Sequence, residues 1–375
     1  MLVPLFIIIG KIVRWTLMKR TLVNMSKGWG YPAIILNGPW SFQFFGLDEL
    51  SEGNIGQGDN VFTFFKVIRL ICFNLPDDFY SFEVAITILF GFIMFLILTK
   101  SKPYIDFLEA SFIALMVMVN SVYCFSLGKE AFQMVYFIAL FLCLKSEYML
   151  PKKKLLMSIA IILISVATFR TYYALIVVFM VSILLCTQFV LTYTQYMNWK
   201  RITLLFVLIS FTYFIMMAVL MVVNGGLYVR FKDSLLFASD ATSSSNTYIE
   251  NIIVPYLGDN IIGLWLEYII VVIRLSMPLE LISLGIKYWP FILYQILMTY
   301  YAVKGIVAIR ENSSTKNIAL LIYIAFLFAS ASFEVDYGAW IRHCAVTFPI
   351  LLLMTEIVTV EEVFISNDDK ELGEE

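Results

Sequence analysis

Long apolar runs alternate with short charged clusters along most of this chain. The runs cover residues 82–99, 105–126, 131–144, 155–168, 172–193, 202–223, 288–309, 317–331 and 344–360, each 14 to 22 residues long. A helix needs about 20 apolar residues to cross a bilayer, with a working range of roughly 17–25. Together with a first segment at residues 1–17, the runs predict an all-α polytopic transmembrane protein of about ten crossings, and no more than about eleven. The ten-residue alternating strands of an outer-membrane barrel are absent. Residues 28–80 resist assignment. Their apolar stretches are broken by Gly38-Pro39-Trp40 and by Lys66 and Arg69.

Composition supports the pattern. The chain has 375 residues, 61% hydrophobic and 14% charged, with mean hydropathy +0.86. Soluble domains are nearer half apolar and a quarter charged. Basic clusters at residues 11–27, 100–102, 145–154, 200–201 and 304–316 mark the cytoplasmic side. Parity then places 126–130, 169–171, 224–260 and 332–343 outside. The expected organisation is one membrane domain over residues 1–360, with an outer loop region at 224–286 and an acidic cytoplasmic tail at 361–375. Within the outer region, the run 261–273 is too short to cross alone and predicts a re-entrant or interfacial segment. Asn260, Glu267 and Arg274 are spaced by seven, which puts them on one face of a helix.

Candidate chemistry concentrates on the outer side. The stretch 332–343 holds Glu334, Asp336, Trp340, Arg342 and His343, the chain's only histidine. A polar turn between two spans belongs at a water interface, and Gly338 predicts a bent loop there. Arg170, Arg230, Arg274, Arg342 and Lys129 fall on the same side and suit an anionic ligand, because guanidinium binds phosphate oxygens through two parallel bonds. The candidate bases are Asp336, Glu334, Glu130 and His343. Five cysteines without a CxxC pair imply neither a disulfide framework nor a zinc site, and one histidine argues against metal ligation. GxSxG, Walker A and HExxH motifs are missing, which argues against ATP-driven transport by this chain. The net charge of −2 gives no indication of nucleic acid. The acidic pairs Asp48-Glu49 and Asp77-Asp78 match the acidic pair expected of GT-C glycosyltransferases, so a GT-C-like architecture fits as well.

Four islands resemble bacterial Wzy-type polysaccharide polymerases, which build O-antigen or capsule. They are Gly128-Lys129-Glu130 opening a span, Phe169-Arg170-Thr171-Tyr172 in a tight hairpin, RLSMPLE over 274–280, and FEVDYGAWIRHCAVTFP over 333–349. Arg274 and Gly285 also fit the Arg-x10-Gly spacing of that family. The resemblance covers the topology of residues 82–360. It implies a glycosyltransferase, without metal or other cofactor, that moves a growing glycan from undecaprenyl pyrophosphate onto a new lipid-linked repeat. The reaction would take place at the outer face of the bacterial inner membrane. Its partners would be the lipid-linked oligosaccharide, membrane lipid, and the chain-length regulator and flippase of the same pathway. It assigns catalysis to Asp336, His343 and Glu130, and pyrophosphate binding to Arg170, Arg230, Arg274, Arg342 and Lys129. A lipid-linked oligosaccharide flippase, a glycan ligase and a lipid-phosphate-sugar glycosyltransferase remain as alternatives.

Overall fold

The structure, a computed structural model, describes residues 2–25, 60, 64, 67–68, 79–99, 106–125, 129–192, 199–236, 247–307 and 316–355. Most of 28–80, the Ser/Thr-rich run before Thr247 and the acidic tail lie outside the described residues. The described part is helical, with one isolated bridge between Tyr248 and Asp336. It forms two compact units, one of residues 1–140, 164–171 and 342–349, the other of residues 141–163, 172–341 and 350–375.

In the first unit, α1 (Leu2–Met25) packs chiefly on α3 (Phe107–Tyr123), with α2 (Phe79–Thr99) against α1. Asp106 caps α3 by accepting from the Glu109 amide at 2.6 Å, an Asp-x-x-Glu start visible in the sequence. Gly10 lets the two helices touch. A Cβ there would lie 2.7 Å from both the Met118 carbonyl and the Ser121 side chain, and Ser121 donates to the Ile7 carbonyl at 2.7 Å. The last carbonyls of α3 receive three side chains. Lys11 and Thr87 (2.9 Å) both donate to Phe125, and Arg14 donates to Val122 at 2.8 Å. Cations complete a helix C-terminus well. Lys11 and Arg14 are buried there.

The second unit is built around α12 (Lys316–Ser330), of which residues 318–330 are all buried. α6 (Ala174–Thr192) lies on it, α7 (Trp199–Val223) lies on α6, α8 (Gly225–Leu236) and α10 (Ile261–Ser276) lie on α7, and the short α9 (Val254–Leu257) lies on α10. Aromatics knit the layers. The Tyr213 and Tyr268 rings stack at 3.9 Å, the Tyr268 hydroxyl donates to Phe328 at 2.6 Å, and Trp265 donates to Ser210 at 3.1 Å. Outward faces are apolar instead of polar. Val178, Val181, Leu185 and Phe189 on α6, and Leu204, Val207, Phe211, Ile215 and Val219 on α7, are exposed at three- and four-residue spacing.

Among the described residues, three helices are long and apolar enough to cross a membrane: Thr171–Leu191, Trp199–Val223 and α11 (Trp289–Val307). A fourth is added if α13 (Tyr337–Ala345) and α14 (Phe348–Thr355), bent by 71°, make one span. This is fewer than the apolar runs suggested. α3 keeps 17 residues of its 22-residue run, between Asp106 and Cys124, and α12 has 15, no more than its short run. At about 1.5 Å per residue these are shorter than a hydrocarbon core of about 30 Å. Between α10 and α11 stand two 3-10 turns, Leu279–Leu284 and Ile286–Tyr288. The 16-residue α10 is therefore not a full span.

Candidate functional site

In the first unit the site is assembled at the end of α5 (Pro151–Thr168), opposite the residues that begin at Arg342. The amides of Phe169 and Arg170 both fold back onto the Ser165 carbonyl, at 2.9 and 3.1 Å, which stops the helix and turns Arg170 inward. Phe169 is buried edge-on to Phe132 of α4 (Lys129–Lys145), with ring centres 5.6 Å apart, and its ring lies 4.9 Å from the Arg170 guanidinium carbon. Arg170 Nη1 then donates to His343 Nε2 at 2.8 Å, and both residues are buried. A guanidinium has no acceptor. Nε2 must therefore offer its lone pair, which places the imidazole proton on Nδ1 and makes His343 neutral. The sequence reading had named both residues but not this division of roles.

Further ionisable groups of this unit surround Cys124. Glu130, Cys344, Arg14 and Lys11 all lie within electrostatic reach of its buried thiol. Glu130 sits in the first turn of α4, where the helix dipole favours a carboxylate, and is itself buried. Lys129 opens the same helix, but its side chain is outside the described residues. Arg342 is half-buried and makes no hydrogen bond or ion pair among the described residues.

In the second unit the evenly spaced face of α10 anchors loops. Asn260 caps the helix by accepting from Ile262 and Gly263, at 3.1 and 3.0 Å. Glu267, fully buried, accepts from the amides of Ile252, Ile253 and Val254, the shortest at 2.7 Å. Arg274 grips Glu280 through Nε at 2.8 Å and Nη2 at 2.7 Å, and gives Nη1 to the Glu250 carbonyl. The Tyr337 hydroxyl also donates to Glu280. The RLSMPLE and FEVDYGAW islands thus meet at one carboxylate. Glu280 and Tyr337 were not singled out from sequence, because six residues across a Pro278 break is not a helical pairing distance.

The stretch 332–343 differs from expectation. Gly338 does not bend a loop; it lies in the first turn of α13, where a Cβ would sit 2.8 Å from Asp336 Oδ1 and 3.4 Å from Thr247 Oγ1. Asp336 is the cap of that helix. Oδ1 accepts from the Ala339 amide at 2.9 Å and Oδ2 from the Thr247 hydroxyl at 3.0 Å. Trp340 is not interfacial but core: it is fully buried, stacked 5.9 Å from Phe326, and donates to Gln295 at 3.2 Å. Arg230 is exposed on α8 and, like Arg342, is unpaired among the described residues. No three His, Cys, Asp or Glu residues converge as a metal site among the described residues. Compared with family models, curated proteins and solved structures, the chain matches none.

Proposed function

We propose that this chain is a polytopic membrane glycosyltransferase, a polysaccharide polymerase that joins undecaprenyl-pyrophosphate-linked oligosaccharide repeats at the outer face of the bacterial inner membrane. The observation that carries the reading is the buried Arg170–His343 pair, with Arg342, unpaired among the described residues, immediately before His343 in the chain. Two islands of the family resemblance, 173 residues apart, meet there. The exposed apolar stripes on α6 and α7 suit a lipid surround.

In the proposed reaction an acceptor-sugar hydroxyl attacks the anomeric carbon of the growing glycan. The bond from that carbon to the lipid pyrophosphate breaks, and the hydroxyl proton passes to a carboxylate. Pyrophosphate is a good leaving group, so the site chiefly neutralises developing charge. Arg342 has a whole fork to offer it. His343, next to Arg342 in the chain, is held in place by Arg170 and so positions the start of this segment. Asp336 has both oxygens engaged in its cap, so the base role moves to Glu130, in the same unit as the pair. Lys129, which opens the helix that carries Glu130, supplies further positive charge for the anionic donor.

The test supplies lipid-linked repeats to the purified protein in vesicles. Longer glycan supports the polymerase. Movement of the lipid without new bonds means a flippase, and transfer only to a different acceptor means a ligase. Arg342→Ala should cost roughly 1.5–3 kcal/mol per charge-assisted bond lost, or about ten- to a hundredfold in rate, with the folded protein retained. Full polymer length in that variant removes Arg342 from the site.

A further inference from the structure

Three donors converge on the Glu280 carboxylate: Arg274 Nε at 2.8 Å, Arg274 Nη2 at 2.7 Å and the Tyr337 hydroxyl. Two parallel guanidinium bonds joined by a hydroxyl are the arrangement that a phosphate oxygen edge takes. The Arg274 fork is also fixed without Glu280. Its Nη1 is tied to the Glu250 carbonyl, and the Glu250 loop is in turn held by Glu267 through the amides of residues 252–254. Removing the carboxylate would leave the donors aimed at the same point.

The carboxylate side of the pair is the loose one. The Arg274 side chain is 14% exposed and that of Glu280 is 42%. Glu280 rides on the 3-10 turn Leu279–Leu284, where Leu281 is buried while Leu279, Ile282 and Leu284 are exposed. The turn starts after Pro278 and ends at Gly285, whose φ of +112° and empty surroundings leave it a pivot. A mostly covered cation, tied to the Glu250 carbonyl, and a more exposed anion on a thinly packed turn make a pair that opens from the anion's side.

We infer that Glu280 is a built-in place-holder: it occupies a diphosphate-recognising fork on Arg274 and Tyr337, and an incoming diphosphate group displaces it. The ligand's chemistry rests on the polymerase reading; the displacement rests on the geometry alone. Glu280 then sets a threshold, because monovalent anions of low charge compete poorly with a carboxylate already bound in two places, whereas a diphosphate brings more charge and more oxygens.

The experiment measures binding of inorganic pyrophosphate to the full-length protein in nanodiscs. It is repeated by competition with nanodiscs that contain a polyprenyl diphosphate, which separates free from lipid-borne diphosphate. Glu280→Ala should bind pyrophosphate at least about tenfold tighter than the parent, and Glu280→Gln should gain less because its amide still fills the position. The gain should vanish when Arg274→Ala is added. Competition by the lipid identifies its headgroup as the ligand, and a gain for the inorganic ion alone assigns the fork to free diphosphate. Folded Glu280 variants that bind no tighter than the parent overturn the proposal. So does failure of both variants to fold, since Glu280 would then be a structural staple. Tighter binding without glycan extension would leave the place-holder standing and remove the polymerase; extension without tighter binding would do the reverse.

Discussion

Glu267 offers the most direct test of how the second unit holds its loops. Its carboxylate is fully buried and serves three backbone amides, with contacts of 2.7 to 3.1 Å to Ile252, Ile253 and Val254. Hydrogen bonds to a charged group contribute about 1.5–3 kcal/mol each, and a buried amide stripped of its acceptor costs about 1–3 kcal/mol. The three are not equivalent after truncation, since Ile252 is 47% exposed and its amide can find water. Counting one rehydrated amide and two that remain dry, Glu267→Ala should destabilise by about 3 kcal/mol. Glu267→Gln keeps one acceptor oxygen but turns an NH2 toward the remaining donors, for about 1–2 kcal/mol. For a unit of this size each kcal/mol moves the midpoint by roughly 2–4 °C, so the alanine variant should melt roughly 6–12 °C lower in detergent. Limited proteolysis should cut first around residues 251–258. An alanine variant that melts within about 2 °C of the parent, with that loop still protected, refutes the reasoning.

Three further outcomes follow from single contacts. His343→Gln keeps an acceptor near the Nε2 position for Arg170, whereas His343→Ala strips it; the alanine variant should be less stable by about 1–3 kcal/mol while glutamine recovers most of that, measured by melting. Gly338→Ala forces a methyl against Asp336 Oδ1 and should undo the α13 cap, costing about 1–2 kcal/mol, with Asp336→Ala giving little further loss in the double variant. The Lys232–Asp259 pair, at 2.8 Å, is a pH probe: the hydrogen bond from Lys232 holds the Asp259 carboxyl below its ordinary range, and the same bond raises Lys232. The Asp contribution is present above about pH 4 and is lost as acid protonates it. The Lys contribution is present below about pH 10.5 and is lost as base passes its raised value. The melting difference between parent and Asp259→Asn should thus be flat from about pH 5 to 10 and close at either extreme; a difference that changes within that window contradicts the assignment.

The long apolar helices were the most legible part of the sequence. The runs 172–193 and 202–223 became Thr171–Leu191 and Trp199–Val223, because uninterrupted apolar segments leave the backbone no better solution than a helix. The Asn260, Glu267, Arg274 face was legible as a face, and its use as three loop anchors was not, since the loops it holds carry no periodic signal. Lys11 and Arg14 show the same limit. Their acceptors, Phe125 and Val122, are 114 and 108 residues away, and only the folded chain reveals that these charges finish a helix. Gly338 was misread for a local reason. Glycine signals a bend when φ must be positive, but here it is needed so that a cap can approach, which sequence alone does not separate.

The arginines were read from sequence as one equivalent set, and their partners divide them. Arg274 faces a carboxylate, so its charge is neutralised within the fold and a ligand must first remove Glu280. Arg170 faces an imidazole that accepts through a neutral lone pair, so this contact is a hydrogen bond and not an ion pair. Arg342 and Arg230 carry no partner among the described residues. A diphosphate gains from an uncancelled charge in a dry place far more than from one already paired, because the effective dielectric there is lower and no carboxylate has to be displaced. Arg230 is exposed to solvent, where that gain is small. Arg342, half-buried and unpaired among the described residues, therefore has more of its charge to offer an anion than exposed Arg230 or Arg274, which Glu280 already neutralises.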